Sequence, residues 1–97
     1  MKALIIRSPW ADQIVDGAKT IEYRSRRTHI RGRIAIIKGG THLIIGSVSL
    51  VDCQGPDHLN LFHWILKNSR RLDPPVPYRH PHGAQIWVNL DNIPTPW

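Results

Sequence analysis

The chain opens on an unbroken aliphatic run, Ala3-Leu4-Ile5-Ile6, closed by Arg7, and so short a run bounded by charge predicts a buried first strand. The period then changes. Ser8 has an N-cap side chain, Pro9 suits the first helical position, and Trp10, Ile14 and Val15 fall at helical spacing before Gly17 ends the helix. From Lys19 to Arg24 the pattern alternates, so Ile21 and Tyr23 are expected to pack inward while Thr20, Glu22 and Arg24 share the opposite face and Lys19 stands at the turn entering the strand. Arg33 to Lys38 is nearly all aliphatic, which predicts a strand buried on both sides or lining a barrel. Gly39-Gly40 reads as a turn. His42 to Cys53 forms a long strand that starts continuous and then alternates, with Ser47 and Ser49 turned to water and Gly46 marking a bulge.

Residues 56 to 67 fit two periods. One helix would accommodate them, yet Phe62, Trp64 and Leu66 also alternate; a helical turn at 57 to 61 followed by a strand from 62 to 67 is the reading adopted. Asp73-Pro74-Pro75-Val76-Pro77-Tyr78 is an extended, non-helical connection, because each proline removes a donor and restricts its neighbours. Ala84 to Leu90 is expected to close the sheet and Pro94 to Trp97 to form a tail, with Trp97 covering a barrel end. No repeat, heptad or low-complexity segment occurs. The fold class expected is α+β, mainly β: a small, mostly antiparallel barrel with one or two short helices, and 97 residues suit one domain with a thin core.

Charge narrows the partner. Thirteen Lys and Arg against seven Asp and Glu leave +6, with a pI near 10.3, a balance that attracts polyanions. The distribution is uneven: Arg24, Arg26, Arg27, Arg31, Arg33 and Lys38 follow one another without an intervening acid, and a second set is Lys67, Arg70, Arg71 and Arg79. Cys53, the single cysteine, cannot form an internal disulfide and is expected as a small core residue at a strand end. The first residues lack the apolar stretch of a signal peptide and no run is long enough for a membrane helix, so a cytoplasmic protein, monomeric and free of membrane, is expected.

The candidate chemistry sits in Gly17-Ala18-Lys19-Thr20-Ile21-Glu22-Tyr23-Arg24. Backbone donors around Ser8 to Trp10 offer an anion site, Glu22 accepts from exocyclic amino groups of a base, and Arg24 binds phosphate bidentately. Trp64 and Tyr78 are the stacking candidates for single-stranded RNA, Trp10, a ligand-binding candidate on the first helical turn, fits stacking and packing alike, and Trp87 belongs to an apolar alternation and reads as core. Arg26, Arg27, Arg31 and Arg33 would grip the backbone. Six histidines, notably His80-Pro81-His82 with His58 and His63, match no regular zinc spacing together with Cys53, and Gly39-Gly40 lacks the lysine and hydroxyl of a phosphate loop. No metal and no cofactor are expected.

With the preceding Ser8-Pro9-Trp10 and the following Arg31-Gly32-Arg33-Ile34-Ala35-Ile36, the octapeptide resembles the signature of the ASCH family, small β-barrels similar to the PUA RNA-binding domain. The resemblance implies a central cleft bordered by the Gly-x-Lys-Thr-x-Glu-x-Arg stretch, with Lys19, Glu22 and Arg24 carried over, and RNA or a modified nucleoside as ligand. It also implies an alternative. Some ASCH-like proteins resemble amidohydrolases acting on N4-acetylcytidine, and others are described as ribonucleases, with a lysine such as Lys19 as general base activating a threonine three residues later. Glu22 stands at that threonine position here, and Thr20 lies beside Lys19. A protein-interaction module is the remaining alternative.

Overall fold

The structure is a computed structural model and describes residues 1–90. Six strands and one helix follow in the order β1 (Lys2–Ile6), α1 (Trp10–Val15), β2 (Ile21–Arg24), β3 (Gly32–Lys38), β4 (Leu43–Gln54), β5 (Phe62–Pro77) and β6 (Trp87–Asn89). They form one sheet in the spatial order β2-β5-β4-β3-β1-β6. Every neighbouring pair is antiparallel except β1 with β3. The sheet curls into a half-barrel that leaves β2 and β6 as its two edges.

Two clusters of buried side chains cover the two faces. On one, Leu4, Ile34, Ile36, Val48, Leu50, Trp64 and Leu66 pack with Ala11, Ile14 and Val15 of α1. On the other, Ala3, Ala35, Ile37 and Ile44 pack with Tyr78, Val88 and Leu90. The continuous aliphatic runs of β1 and β3 follow from this, since strands buried on both faces have no polar side to alternate with. Cys53 is free and buried near the end of β4.

Irregularities in the β4–β5 ladder supply the curl. The register slips between Ile44 and Gly46, between Ser47 and Ser49, and between Leu50 and Asp52, and each slip adds local twist. Gly46 has a second duty: a Cβ there would lie 2.2 Å from the Arg70 carbonyl oxygen and 2.6 Å from Val15 Cγ1. The helix can seat on the sheet only because that position has no side chain.

Four expectations are corrected. Ser8 is not the N-cap; Pro9 occupies that position and the helix has no side-chain cap. Residues 57 to 61 form a turn rather than a helical one, organised by Asp57, whose carboxylate Oδ1 accepts from the backbone N–H of Leu59 and Leu61. The strand expected at 62 to 67 runs on through Pro74 and Pro75 to Pro77, because β2 pairs with β5 only over Phe62 to Ile65 and the later prolines therefore lie on a sheet edge where a missing donor costs little. Ser47 does not face water; it is fully buried, and its hydroxyl has no hydrogen-bond partner among the described residues. The tail from Pro94, with Trp97, lies outside the described residues.

Candidate functional site

Gly17, at φ +84°, ends α1 in the left-handed region, and its N–H donates to the Ile14 carbonyl. The chain reverses at once. Lys19 N–H donates to Gln13 O at 3.0 Å and Leu66 N–H to Thr20 O at 2.9 Å, so the helix end and the start of β2 are fixed to one another and to β5. This anchorage brings Lys19, Glu22 and Arg24 to the wall of a cleft of about 770 Å³.

Glu22 is the floor. It is cross-strand from Trp64 and only 8% exposed. A carboxylate so placed needs charged or polar partners, and it has two: Arg24 Nε donates to Oε2 at 2.9 Å, and Lys19 Nζ lies 3.5 Å from Oε1. Arg24 is held further by donation from Nη2 to Ile5 O at 3.2 Å and by its position over the Trp64 ring, 5.7 Å from the centroid. Lys19 Nζ also donates to the Ile21 carbonyl and stands 5.1 Å above the Tyr23 ring. As placed, it acts as a donor.

The rim is amphipathic. Trp10 is 48% exposed and Tyr23 50%, and both line the cleft beside Arg7, the Gly39-Gly40 turn and Gln85. Two flat faces thus stand at the mouth of a recess with a carboxylate at its base and guanidinium and ammonium groups around it. Such a recess can take a planar, polar, hydrogen-bonding ring and an attached anion.

The expected faces of β2 are therefore reversed: Glu22 points inward and Tyr23 outward. Alternation assigns the aromatic residue to the core, but on this edge strand Trp64 already fills the inner position, and the carboxylate is tolerated there because Arg24 and Lys19 satisfy it. Two stacking candidates are corrected too. Trp64 is 2% exposed, donates from Nε1 to Arg26 O at 3.0 Å, and stacks on Trp87 with centroids 5.9 Å apart; no face is open to a base. Tyr78 is 9% exposed and packs in the second core cluster, its hydroxyl 2.8 Å from His80 Nδ1.

Other predicted residues lie elsewhere. Thr20 borders a smaller neighbouring concavity with Lys67 and Asn68, not the cleft. Around Ser8 to Trp10, Pro9 has no N–H and the Ala11 N–H already donates to Arg7 O at 3.0 Å, so six helical residues leave little of an anion site. Of the arginine loop, Arg27 donates to Gly55 O at 3.2 Å and lies 4.9 Å from the Phe62 ring centroid. Arg31 donates to the carbonyls of Thr28 and Ile30, and Arg33 to that of Asn68. Arg26 is exposed. None of these four lines the cleft. Arg7 and Gln85 are site residues that the sequence reading misses; a cation closing the first strand just before Ser8-Pro9-Trp10 is the signal for Arg7, and Gln85 carries none. Of the histidines, His63 Nε2 is 2.7 Å from Asp57 Oδ2 and His80 Nε2 is 2.9 Å from Ala84 O.

Comparison with known proteins follows the same lines. A search of curated proteins by sequence found no match. Among solved structures, ASCH from Zymomonas mobilis superposes with a TM-score of 0.65 at 16% identity, over 78% of this chain and 72% of that one. A serine-to-alanine variant of the same protein gives a TM-score of 0.70 at 16% identity, over 94% and 88%. These likenesses concern the PUA-like fold. The ASCH domain family matches residues 4–76, from β1 through nearly all of β5, and the chain belongs to that family.

Proposed function

We propose that the cleft binds a nucleoside of RNA, modified or not, as a recognition module. The ASCH family is associated with RNA-related function. The observation that carries the reading is the recessed Glu22 carboxylate, held by Arg24 and Lys19 beneath the exposed rings of Trp10 and Tyr23. A base stacked on the indole would present its edge to the floor, where each carboxylate oxygen keeps a lone pair for an exocyclic amino group. Arg7 and Arg24 would take the attached phosphate. A free, buried Cys53 suits a reducing compartment and a cytoplasmic setting for this single domain.

The test is titration of the four ribonucleosides, their 5′-monophosphates and N4-acetylcytidine, followed by tryptophan fluorescence and amide NMR shifts. Saturable shifts at Lys19 to Arg24 and quenching lost in Trp10→Phe are expected. If no nucleoside or nucleotide moves these resonances at millimolar concentration, the cleft is not a nucleoside site. Product analysis of the acetylcytidine sample decides whether Lys19 supports deacetylation.

A further inference from the structure

On the sheet face opposite α1, the β-bulge in β5 gathers cations that sequence spacing would separate. Ser47 pairs with Arg70 and Ser49 with Lys67, so β5 carries one residue more than β4 across that span. Lys67 and Arg70 are three apart, and in a regular strand they would point to opposite faces. The extra residue turns both to the face of Ser47 and Ser49. Asn68, at φ +55°, is the residue that absorbs the change. Across β4, Arg33 pairs with Ser49 and therefore shares this face too.

Arg33 stands on β3 and Lys67 and Arg70 on β5, the two strands flanking β4, with Ser49 of β4 between Arg33 and Lys67. The guanidinium of Arg33 is oriented by donation to the Asn68 carbonyl within the bulge. Among the described residues, no carboxylate forms an ion pair with any of the three. Burial, and then the charge of Arg70, lower the pKa of Arg33 from its ordinary value, as expected when cations are brought together without a counter-charge. That arrangement costs free energy unless an anion is present to share it.

We infer that Arg33, Lys67 and Arg70 form a second binding surface, distinct from the cleft, that takes the phosphodiester backbone of a single RNA strand. A polyanion fits better than a folded acidic partner because the cations are spread across the sheet, from β3 over β4 and then along β5, with a small hydroxyl side chain between two of them, instead of surrounding one pocket. None of the three is aromatic, so the surface meets phosphates and is indifferent to base identity. It stands independently of the cleft reading: the cleft takes a base, the row a backbone.

The experiment measures fluorescence anisotropy of a labelled 12-nucleotide single-stranded RNA across a sodium chloride series. Wild type, Lys67→Ala/Arg70→Ala and a control pair, Lys2→Ala/Arg79→Ala, are compared; both pairs remove two exposed charges. The Lys67/Arg70 pair is expected to bind about tenfold more weakly at low salt, with the slope of log affinity against log salt reduced by about 1.4, about 0.7 for each phosphate no longer neutralised. The control pair is expected to keep the wild-type slope. Melting curves and the nucleoside titration of the cleft are expected to be unchanged in both. An equal effect of the two pairs, or an unchanged slope in the Lys67/Arg70 pair, overturns the proposal, whatever the cleft binds.

Discussion

Glu22 carries two duties that one substitution can separate. Its burial beside Trp64 makes it part of the fold, and its place on the cleft floor makes it the acceptor in the proposed nucleoside site. Glu22→Gln keeps the shape but replaces one acceptor oxygen by a donor, leaving Arg24 or Lys19 short of a partner; the expected loss is about 1–3 kcal/mol. For a chain of this size, that lowers the melting temperature by roughly 4–8 °C per kcal/mol. An unchanged melting temperature by calorimetry would show that the two cations do not depend on the carboxylate. In ligand binding, the amide of this variant would favour nucleosides presenting an acceptor where the wild type favours an amino group. Much of this cleft wall was legible in the octapeptide itself, because Glu22 and Arg24 lie on one short strand and Lys19 just before it, behind a glycine stop. Which way they faced was not. Alternation ranks side chains by polarity, and it cannot show that a neighbouring strand supplies Trp64 from one side while Arg24 and Lys19 neutralise a buried acid.

At the level of elements, α1 is held by shape on its apolar side and by charge at its end. Gly46→Ala would place a methyl group 2.2 Å from a carbonyl oxygen of β5 and 2.6 Å from Val15; neither is the far end of a flexible side chain. A loss of about 2–4 kcal/mol is expected, read as a fall in the urea midpoint, and a variant as stable as wild type would mean that α1 can lift off β4 freely. The charged clasp is Arg71, which donates from Nε to Asp16 Oδ1 at 2.7 Å and from Nη2 to Asp12 Oδ1 at 3.1 Å, while Lys38 pairs with Asp12 at 3.0 Å. Hydrogen bonds from Lys38 and Arg71 hold Asp12 below the usual carboxylate range, as Arg71 does Asp16, and His63 followed by the Leu61 N–H brings Asp57 to about 2. All three carboxyl groups are lowered on folding. The stability they contribute is thus present above the ordinary carboxylate pKa and is lost as pH falls from about 4 toward 2. The urea midpoint should hold from pH 7 to 5 and drop below 4, less steeply in Asp57→Asn; a midpoint rising on acidification would reverse the sign. The bulge at Gly46 was legible from its setting in an aliphatic strand, and β3 from its unbroken aliphatic run. The length of β5 was hidden because three prolines argue against a strand until the sheet order shows that they lie past the last β2 pair.

For the whole molecule, the proposed division between a base-sized cleft and a cationic row predicts that affinity depends on ligand length. A mononucleoside can meet only the cleft, whereas small β-barrels that hold single strands cover about 4–16 nucleotides, enough for one strand to reach both surfaces. Trp10 is the residue that distinguishes the two, since its half-exposed indole offers a stacking face and carries no charge. Trp10→Ala should weaken nucleoside binding by about 1–3 kcal/mol, the worth of one stacked base, and should leave the salt slope for a 12-nucleotide RNA unchanged because every phosphate-binding cation is still in place. Combined with Lys67→Ala/Arg70→Ala, the losses in RNA affinity should add within about 0.5 kcal/mol, as for sites without shared partners. Anisotropy titrations of the single, double and triple variants measure both quantities. If the salt slope falls in Trp10→Ala, the indole is positioning a phosphate rather than a base. If the combined loss equals the larger of the separate losses, one RNA strand does not occupy the cleft and the row together.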